Sequence, residues 1–285
     1  MRIKLSKVGP GLQGFHLAVF GLLLLIGTIS VFVPFAWMIL TSFKTFGESI
    51  SINPVVIFPE RIRWDAYVTV TNLFNFWRLY FNTISFMVLR IIIAALITAP
   101  MAAYALARLK FYGKSLFFAL ILVQLMVPSQ IFVIPQYLMV LRLGALNTMF
   151  ALVFPGLITT FGTFLLRQFF MSIPASIEES AKIDGANPLQ IYFKVMLPMV
   201  KSGLVAVSIF TALFAFRELL WPLVVITNVN QMPLSAALAR LQGQAMTFFP
   251  DIMAAATLAS IPMVAVYVMF QRWFIQGIAT SGLKY

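Results

Sequence analysis

Three charged side chains lie inside long apolar stretches of this sequence, where they could do chemistry. Arg90 interrupts the apolar segment 81–107, and Arg217 and Glu218 interrupt the segment 203–227. Charged residues are costly within a membrane and are rare there unless they pair or serve a function. Arg90 and Glu218 could form a buried ion pair that fixes helix packing. Alternatively, the charges face a water-filled cavity, where the planar fork of Arg217 could donate hydrogen bonds to substrate hydroxyls or carboxylates.

Aromatic side chains in the same stretches allow two interpretations. Trp221 follows Glu218 closely, and Phe214, Phe216 and Tyr267 also lie in apolar segments. Such rings can stack on sugar faces, but in membrane helices they more often pack or anchor the interface. The candidates for a substrate path are Arg90, Arg217, Glu218 and Trp221.

A polar segment, EESAKIDGANPLQIYFKVMLP over residues 178–198, stands out in a chain of which only 10% is charged. Ser176 and Glu179 have the spacing of a capping box at the start of a first helix. Glu178 and Lys182 are spaced as an i,i+4 ion pair within it. Gly185 is expected to end this helix.

A second short helix is predicted directly after Gly185. Asn187 can cap it, with Pro188 at its first position, and Pro198 is expected to end it. The whole segment is either an amphipathic loop on the membrane surface or a docking element. Its small residues, Ala181, Gly185 and Ala186, would let a partner approach the backbone closely.

Motifs for nucleotide and metal chemistry are weak. Gly113-Lys114-Ser115 matches the end of a phosphate-binding loop, but Arg108 stands where that motif needs a glycine. The chain has no cysteine, which excludes disulfides and thiolate metal sites. Its single histidine, His16, is expected at the membrane interface. We therefore expect neither nucleotide nor metal to bind to this chain.

The elements that hold these residues are membrane helices. Of the 285 residues 61% are hydrophobic, and the mean hydropathy is +0.97, more than a soluble fold could bury. A span needs about 20 apolar residues. The sequence predicts an all-α polytopic membrane protein with about six transmembrane helices. The predicted spans cover residues 15–41, 80–107, 115–138, 146–168, 203–227 and 252–275.

The distribution of lysine and arginine predicts the orientation. These residues predominate on the side that contains both termini and the segment 171–202, which we therefore expect in the cytoplasm. The net charge of +12 reflects this topology rather than nucleic acid binding. The predicted organisation is a cytoplasmic N-terminus, residues 1–14, and a single transmembrane domain, residues 15–285. Its large inside loop is 171–202, and its outside loops are 42–79 and 228–251.

The polar segment resembles the EAA loop of bacterial ATP-binding-cassette importer permeases. The matching pattern is Glu179-Ser180-Ala181, Gly185, Val195 and Leu197-Pro198, and residues 166–198 are similar to the carbohydrate-uptake branch of the maltose-permease second-subunit type. AWMILTSFKT, AAYALARLKFYGK, LLWPLVVIT and FQRWFIQGIATSGLKY extend the resemblance to nearly the whole chain. Ser180 and Val195 are mild departures. Phe216-Arg217-Glu218 replaces the Trp-Asn-acid of the family's fifth span.

The resemblance implies a type I importer permease whose polar segment is a coupling helix, seated in a groove of a cytoplasmic ATPase subunit. It implies a second permease subunit, two ATPase subunits that carry ATP and Mg, and an external binding protein that docks on the outside loops. This chain would be a non-catalytic subunit of the bacterial inner membrane, without a cofactor of its own. The residues implied in coupling are Glu178, Glu179, Ser180, Ala181, Asp184, Gly185, Ala186, Leu197 and Pro198.

Two other interpretations stay open. A secondary transporter driven by an ion gradient would use Arg90 and Glu218 as an ion or proton relay. The inverted repeats common in such folds are not apparent in the sequence, and the spacing of the polar segment would be unexplained. A membrane scaffold without transport would leave the intramembrane charges without a role.

Overall fold

The computed structural model describes residues 10–244 and 248–282, and every regular element within them is helical. The expected all-α class is confirmed. The helices are α1 Pro10–Thr41, α2 Phe46–Ile50, α3 Asp65–Leu73, α4 Phe76–Arg90, α5 Ala99–Arg108, α6 Lys114–Met126, α7 Val133–Arg142, α8 Met149–Val153, α9 Thr160–Ser172, α10 Ala175–Ile183, α11 Pro188–Gln190, α12 Leu197–Met199, α13 Lys201–Arg217, α14 Leu220–Val225, α15 Leu234–Gln244 and α16 Phe249–Gly282. Shorter helical turns are 3₁₀ at Ser129–Phe132, Phe154–Gly156 and Val229–Gln231, and π at Ile91–Thr98 and Ile191–Met196.

Helices that are long and apolar enough to cross a membrane form two groups. Within the described residues, the unbroken ones are Leu17–Thr41, Phe76–Arg108 and Phe249–Met269. The others are pairs joined at a bend: Lys114–Met126 with Ser129–Arg142 at 102°, Met149–Gly156 with Thr160–Ser172 at 48°, and Pro188–Met199 with Lys201–Arg217 at 75°. Counting each bent pair as one span gives six, the predicted number.

The predicted spans 115–138 and 146–168 are wrong as continuous helices, because each is one of these bent pairs. The predicted fifth span, 203–227, is also wrong as a continuous helix. Helix α13 ends at Arg217, and Glu218 has an extended backbone with φ −64° and ψ 119°. Pro222 supplies the physical reason, because it has no N–H to donate to the carbonyl of Glu218 and its ring would clash there. The carbonyl of Glu218 instead accepts a 3.0 Å hydrogen bond from the hydroxyl of Ser235.

The described chain divides into two compact units, residues 10–73 with 248–258 and residues 74–244 with 259–282. The larger unit is built on the close packing of α9 against α5 and the π turn that precedes α5, where alanines at 95, 99 and 103 are fully buried. Helix α13 also lies close to α9, as shown by Gly203, where an added Cβ would lie only 2.8 Å from the Phe169 ring. These contacts are too close for larger side chains, so the three helices form a tightly packed group.

The segment 228–251, expected as an outside docking loop, is partly folded into the larger unit. Helix α15 packs on α4, and Met232 and Leu234 are buried. The side chain of Asn82 donates to the carbonyls of Asn230 and Met232, at 2.9 and 3.1 Å. The hydroxyl of Thr83 accepts from the N–H of Leu234 at 2.9 Å. Much of this segment is therefore structural, which leaves less of it free for docking.

The smaller unit contains α1 and the segment that follows it. Most described side chains of α1 are exposed. Lys44 lies 4.0 Å from the centre of the Trp37 ring and donates to the carbonyl of Val56 at 2.7 Å. A capping box between Thr45 and Glu48 begins α2. The backbone N–H groups of Thr45 and Glu60 donate to the carboxylate of Glu48, which holds its pKa below the ordinary value.

Candidate functional sites

The first helix of the polar segment, α10, begins two residues earlier than its predicted capping box requires. Pro174 precedes the helix, and no side chain caps it. Ser176 therefore lies within the first helical turn, and its carbonyl accepts from the hydroxyl of Ser180 at 2.8 Å. The predicted capping box between Ser176 and Glu179 is wrong, because a residue with helical backbone no longer occupies the cap position. Glu179 is exposed instead.

Glu178 ties this helix to the membrane helices. Its carboxylate lies 3.5 Å from Lys182, which confirms the predicted i,i+4 pair, and 3.9 Å from Arg108. The hydroxyl of Tyr104 lies 3.4 Å from the same carboxylate. Only 12% of the Glu178 side chain is exposed. Arg108 also donates to the carbonyls of Phe170 and Ile173, so one guanidinium joins α5, the end of α9 and α10.

Gly185 ends α10 as predicted. Its φ is +80°, in the left-handed region that favours glycine. The N–H of Ala186 donates to the carbonyl of Ala181, and the N–H of Gly185 donates to the carbonyl of Lys182, both at 3.0 Å. This pair of bonds is a Schellman motif. A Cβ at Gly185 would have no neighbour within 4 Å, so the turn faces open space.

The second helix begins as predicted and continues slightly further. Asn187 and Gln190 form a capping box, and Pro188 occupies the first turn. The helical backbone continues through Pro198 to Met199, one residue beyond the expected end. A 75° bend to α13 follows. The helix thus leads directly into the fifth span.

The polar segment has an inner and an outer face. Ile191, Tyr192 and Met196 are buried against α5 and α9, with the predicted coupling residues Ala181, Ala186 and Leu197 packed beside them. The outer face, here called the tip surface, is exposed and mixes charged and apolar side chains; Ile183 is 85% and Leu189 69% exposed. The tip surface consists of Glu179, Ser180, Lys182, Ile183, Asp184, Gly185 and Leu189. The structure therefore divides the predicted coupling residues between the two faces.

A second candidate site is a cavity of about 310 Å³ in the larger unit. It lies where three spans are irregular: at the bend before Pro128, in the turn around Gly156, and at the break at Glu218. Irregular backbone is tolerated at membrane depth where it is buried in protein or lines a water-filled cavity. The polar side chains that line it are Arg90, Gln124, Ser129, Gln130, Gln136, Thr159, Thr160, Thr211 and Glu218.

Arg90 and Glu218 lie side by side in the wall of this cavity. Nη1 of Arg90 lies 3.6 Å from Oε2 of Glu218, and the side chains are 10% and 32% exposed. The Arg90 guanidinium lies 5.1 Å from the centre of the Phe86 ring. Gly156 makes room for it, because a Cβ there would lie 2.0 Å from Nε of Arg90. The proposed ion pair is thus present in the structure, at the wall of a cavity.

The other predicted substrate-path residues are placed differently. Arg217, the last residue of α13, is exposed and does not line the cavity. Trp221 lines the cavity but is buried, and its indole N–H donates to the carbonyl of Ala151 at 2.8 Å. Phe214 also lines it. The glutamines were missed from the sequence, although three of them near Pro128 within an apolar stretch are a recognisable signal.

The turn Gly113-Lys114-Ser115 caps helices rather than forming a phosphate-binding loop. Lys114 donates to the carbonyls of Ala107 and Leu109, at 3.1 and 3.0 Å, near the end of α5. The preceding element is a helix, whereas a phosphate-binding loop follows a strand. Among the described residues, no cluster of three or more His, Asp or Glu side chains could hold a metal ion.

Comparison with known proteins identifies the family. Residues 91–280 match the family described as binding-protein-dependent transport system inner membrane component. The arabinooligosaccharides transport system permease protein AraQ of Halalkalibacterium halodurans is 30% identical, over 91% of this chain and 93% of the relative. The diacetylchitobiose uptake system permease protein NgcG of Streptomyces coelicolor is 31% identical, over 94% and 89%. The sn-glycerol-3-phosphate transport system permease protein UgpE of Salmonella typhi is 31% identical, over 88% and 90%.

A solved structure agrees with these sequence relationships. A chain in the crystal structure of a bacterial ABC transporter involved in the import of the acidic polysaccharide alginate matches with a TM-score of 0.75 and 26% identity, over 91% of this chain and 96% of that one. The protein described here belongs to the binding-protein-dependent transport system inner membrane component family. The resemblance to importer permeases seen in the sequence is confirmed.

Proposed function

We propose that this chain is the permease subunit of an ATP-driven importer for a sugar or oligosaccharide. The observation that carries the proposal is the two-faced polar segment. Its inner face packs into the group formed by α5 and α9, and its tip surface is exposed. A partner that moved the tip surface would move the packed helices with it, since tightly packed elements transmit displacement rather than absorb it.

The partner on the tip surface is an ATPase subunit, in this proposal. Exposed Ile183 and Leu189 supply apolar contact area, and Glu179 and Asp184 supply charges for basic residues of the partner. Membership of the importer family supports this assignment. ATP and Mg then bind to the partner, and this chain performs no covalent chemistry. The segment 171–202 and both termini are cytoplasmic, in an inner membrane.

The cavity is the proposed substrate path. Amide and hydroxyl groups dominate its polar lining, and they can both donate to and accept from the hydroxyls of a sugar. Arg90 and Glu218 neutralise each other, so the wall carries little net charge. Permeases for arabinooligosaccharides and diacetylchitobiose are among the relatives, which supports a carbohydrate as substrate. An external binding protein and a second permease subunit complete the proposed importer.

The rival function is ion-driven secondary transport through Arg90 and Glu218. Their position at the cavity wall is the observation in its favour. It gives no role to the exposed tip surface or to the packing of the polar segment. Uptake in membrane vesicles separates the two functions. We expect uptake to need ATP and to survive a protonophore; uptake that continues without ATP and stops with the protonophore would support the rival.

Co-purification tests the proposed partner directly. The wild-type chain and Gly185→Asp are purified from the native membrane, with mass spectrometry of the bound proteins and an ATPase assay. Gly144→Asp is the matched control, because Gly144 also has a positive φ and open space around its Cβ but lies outside the polar segment. We expect the wild type and Gly144→Asp to retain an ATPase, and Gly185→Asp to lose it. A wild-type chain that purifies without any ATPase would contradict the proposal.

A further inference from the structure

A second hollow, of about 530 Å³, lies at the turn between α5 and α6 and plays no part in the proposed transport path. Lys114, Ser115 and Arg167 provide its polar groups, and Phe111, Tyr112 and Phe118 provide its aromatic rings. Of the described residues that line it, none is acidic. Its charge is therefore positive.

The two cations are held in place by contacts that leave their charge uncompensated. Lys114 donates to two backbone carbonyls at the end of α5. Arg167 donates through Nε to the carbonyl of Leu106 at 3.2 Å, and its guanidinium stacks 3.8 Å from the centre of the Phe118 ring. Neither cation forms an ion pair within the described part of the chain. Arg108 is close enough to repel Lys114 further, although it pairs with Glu178.

The hollow also has the apolar surroundings of a membrane interface. It lies where one span ends, at Arg108, and the next begins, at Lys114. Tyr112 is fully exposed beside it, in the position of an interfacial aromatic anchor. Further along α6, Leu122 and Leu125 follow Phe118 at spacings of four and three residues, so they share its face of the helix, and both are exposed. That face provides an apolar track that starts at the cations.

We propose that this hollow binds the phosphate headgroup of an anionic phospholipid, with the acyl chains along α6. Lys114 contacts the phosphate as a point charge, and the free edge of the Arg167 guanidinium donates to its oxygens as a planar fork. Basic pockets at the ends of membrane helices bind such headgroups by the same chemistry. A soluble phosphate would use the cations but not the apolar track on α6.

Native mass spectrometry of the full-length chain in detergent tests the proposal. The added lipids are dioleoyl-phosphatidylglycerol and dioleoyl-phosphatidylcholine, which differ in headgroup charge but not in acyl chains. We expect the wild type to retain phosphatidylglycerol preferentially. Each charge near an anionic membrane surface is worth about a five-fold change in binding, so Lys114→Gln should lower retention about five-fold, and Lys114→Gln with Arg167→Gln about thirty-fold.

Three controls keep the result specific. Lys201→Gln removes an exposed lysine that does not line the hollow and should leave retention unchanged. Arg167→Lys keeps the charge and should retain most of the lipid. Equal melting midpoints for all variants would exclude unfolding as the cause of any loss of lipid retention. Equal retention of the two lipids by the wild type, or full retention of phosphatidylglycerol by the double variant, would overturn the proposal. Displacement of phosphatidylglycerol by inorganic phosphate, but not by sodium chloride at matched ionic strength, would assign the hollow to a soluble anion instead.

Discussion

Arg90, the last residue of α4, and Glu218, the first residue after α13, lie 3.6 Å apart between Nη1 and Oε2 at the cavity wall, and α4 packs against α13 behind this contact. Arg90 is buried, and its Nε has no hydrogen-bond partner among the described residues. A third of the Glu218 side chain remains exposed toward the cavity. The arginine therefore depends on the glutamate for its charge compensation more than the reverse.

Glu218→Gln should destabilise the chain and lower transport. An unpaired buried charge costs about 3–5 kcal/mol, and the partial exposure of this pair reduces the expected loss to about 2 kcal/mol. Adding Arg90→Gln should restore most of the stability, because no buried charge then remains. Transport should stay low in the double variant, since the cavity wall has lost both groups. Thermal unfolding in detergent and uptake into proteoliposomes measure the two effects, and full uptake by the double variant would make the pair purely structural.

Gly156→Ala should disturb the same cavity without removing a charge. The new Cβ would lie 2.0 Å from Nε of Arg90, so the guanidinium must leave its present position beside Glu218. Overpacking of this kind costs about 1–3 kcal/mol. Gly27→Ala is the matched control, because a Cβ there has no neighbour within 4 Å and alanine favours the helix. We expect uptake to fall in Gly156→Ala alone; normal uptake in both variants would show that the position of Arg90 is unimportant.

The features that could be predicted from the sequence are those that depend on residues close together in the chain. The six apolar segments and the Asn187 cap depend on residues that are close together in the chain, and so does the glycine at the end of α10. The contact between Arg108 and Glu178 joins residues far apart in the chain, and no local pattern reveals it. The sequence does contain a signal for the break at Glu218, namely Pro222 four residues later. This signal was not sufficient to predict the break, because prolines inside membrane helices often cause only a kink.

Glu178→Gln and Glu179→Gln should separate packing from docking on the first helix of the polar segment. Glu178 faces Arg108, Lys182 and Tyr104, so its loss should lower stability by about 1 kcal/mol, since all three contacts are long. Glu179 is exposed and has no partner in the described part of the chain, so its loss should leave stability unchanged. We expect Glu179→Gln instead to weaken retention of the ATPase. Thermal unfolding and co-purification measure these effects. A Glu179→Gln variant with a lowered melting midpoint and full retention of the ATPase would contradict a docking role for Glu179.

Substitutions at Gly185 can separate its two proposed roles, the turn and the close approach of a partner. Its φ of +80° makes Gly185→Ala cost about 1–2 kcal/mol, whereas asparagine tolerates this backbone conformation and should cost less. A side chain there meets open space within the chain, so Gly185→Asn changes the tip surface and little else. If close approach matters, Gly185→Asn should keep a near wild-type melting midpoint and still lose ATPase-coupled uptake. Gly144→Asn, at a second glycine with positive φ and open space, should keep both. Normal uptake by Gly185→Asn would mean that the glycine serves the turn alone, and that the partner contacts the tip surface elsewhere.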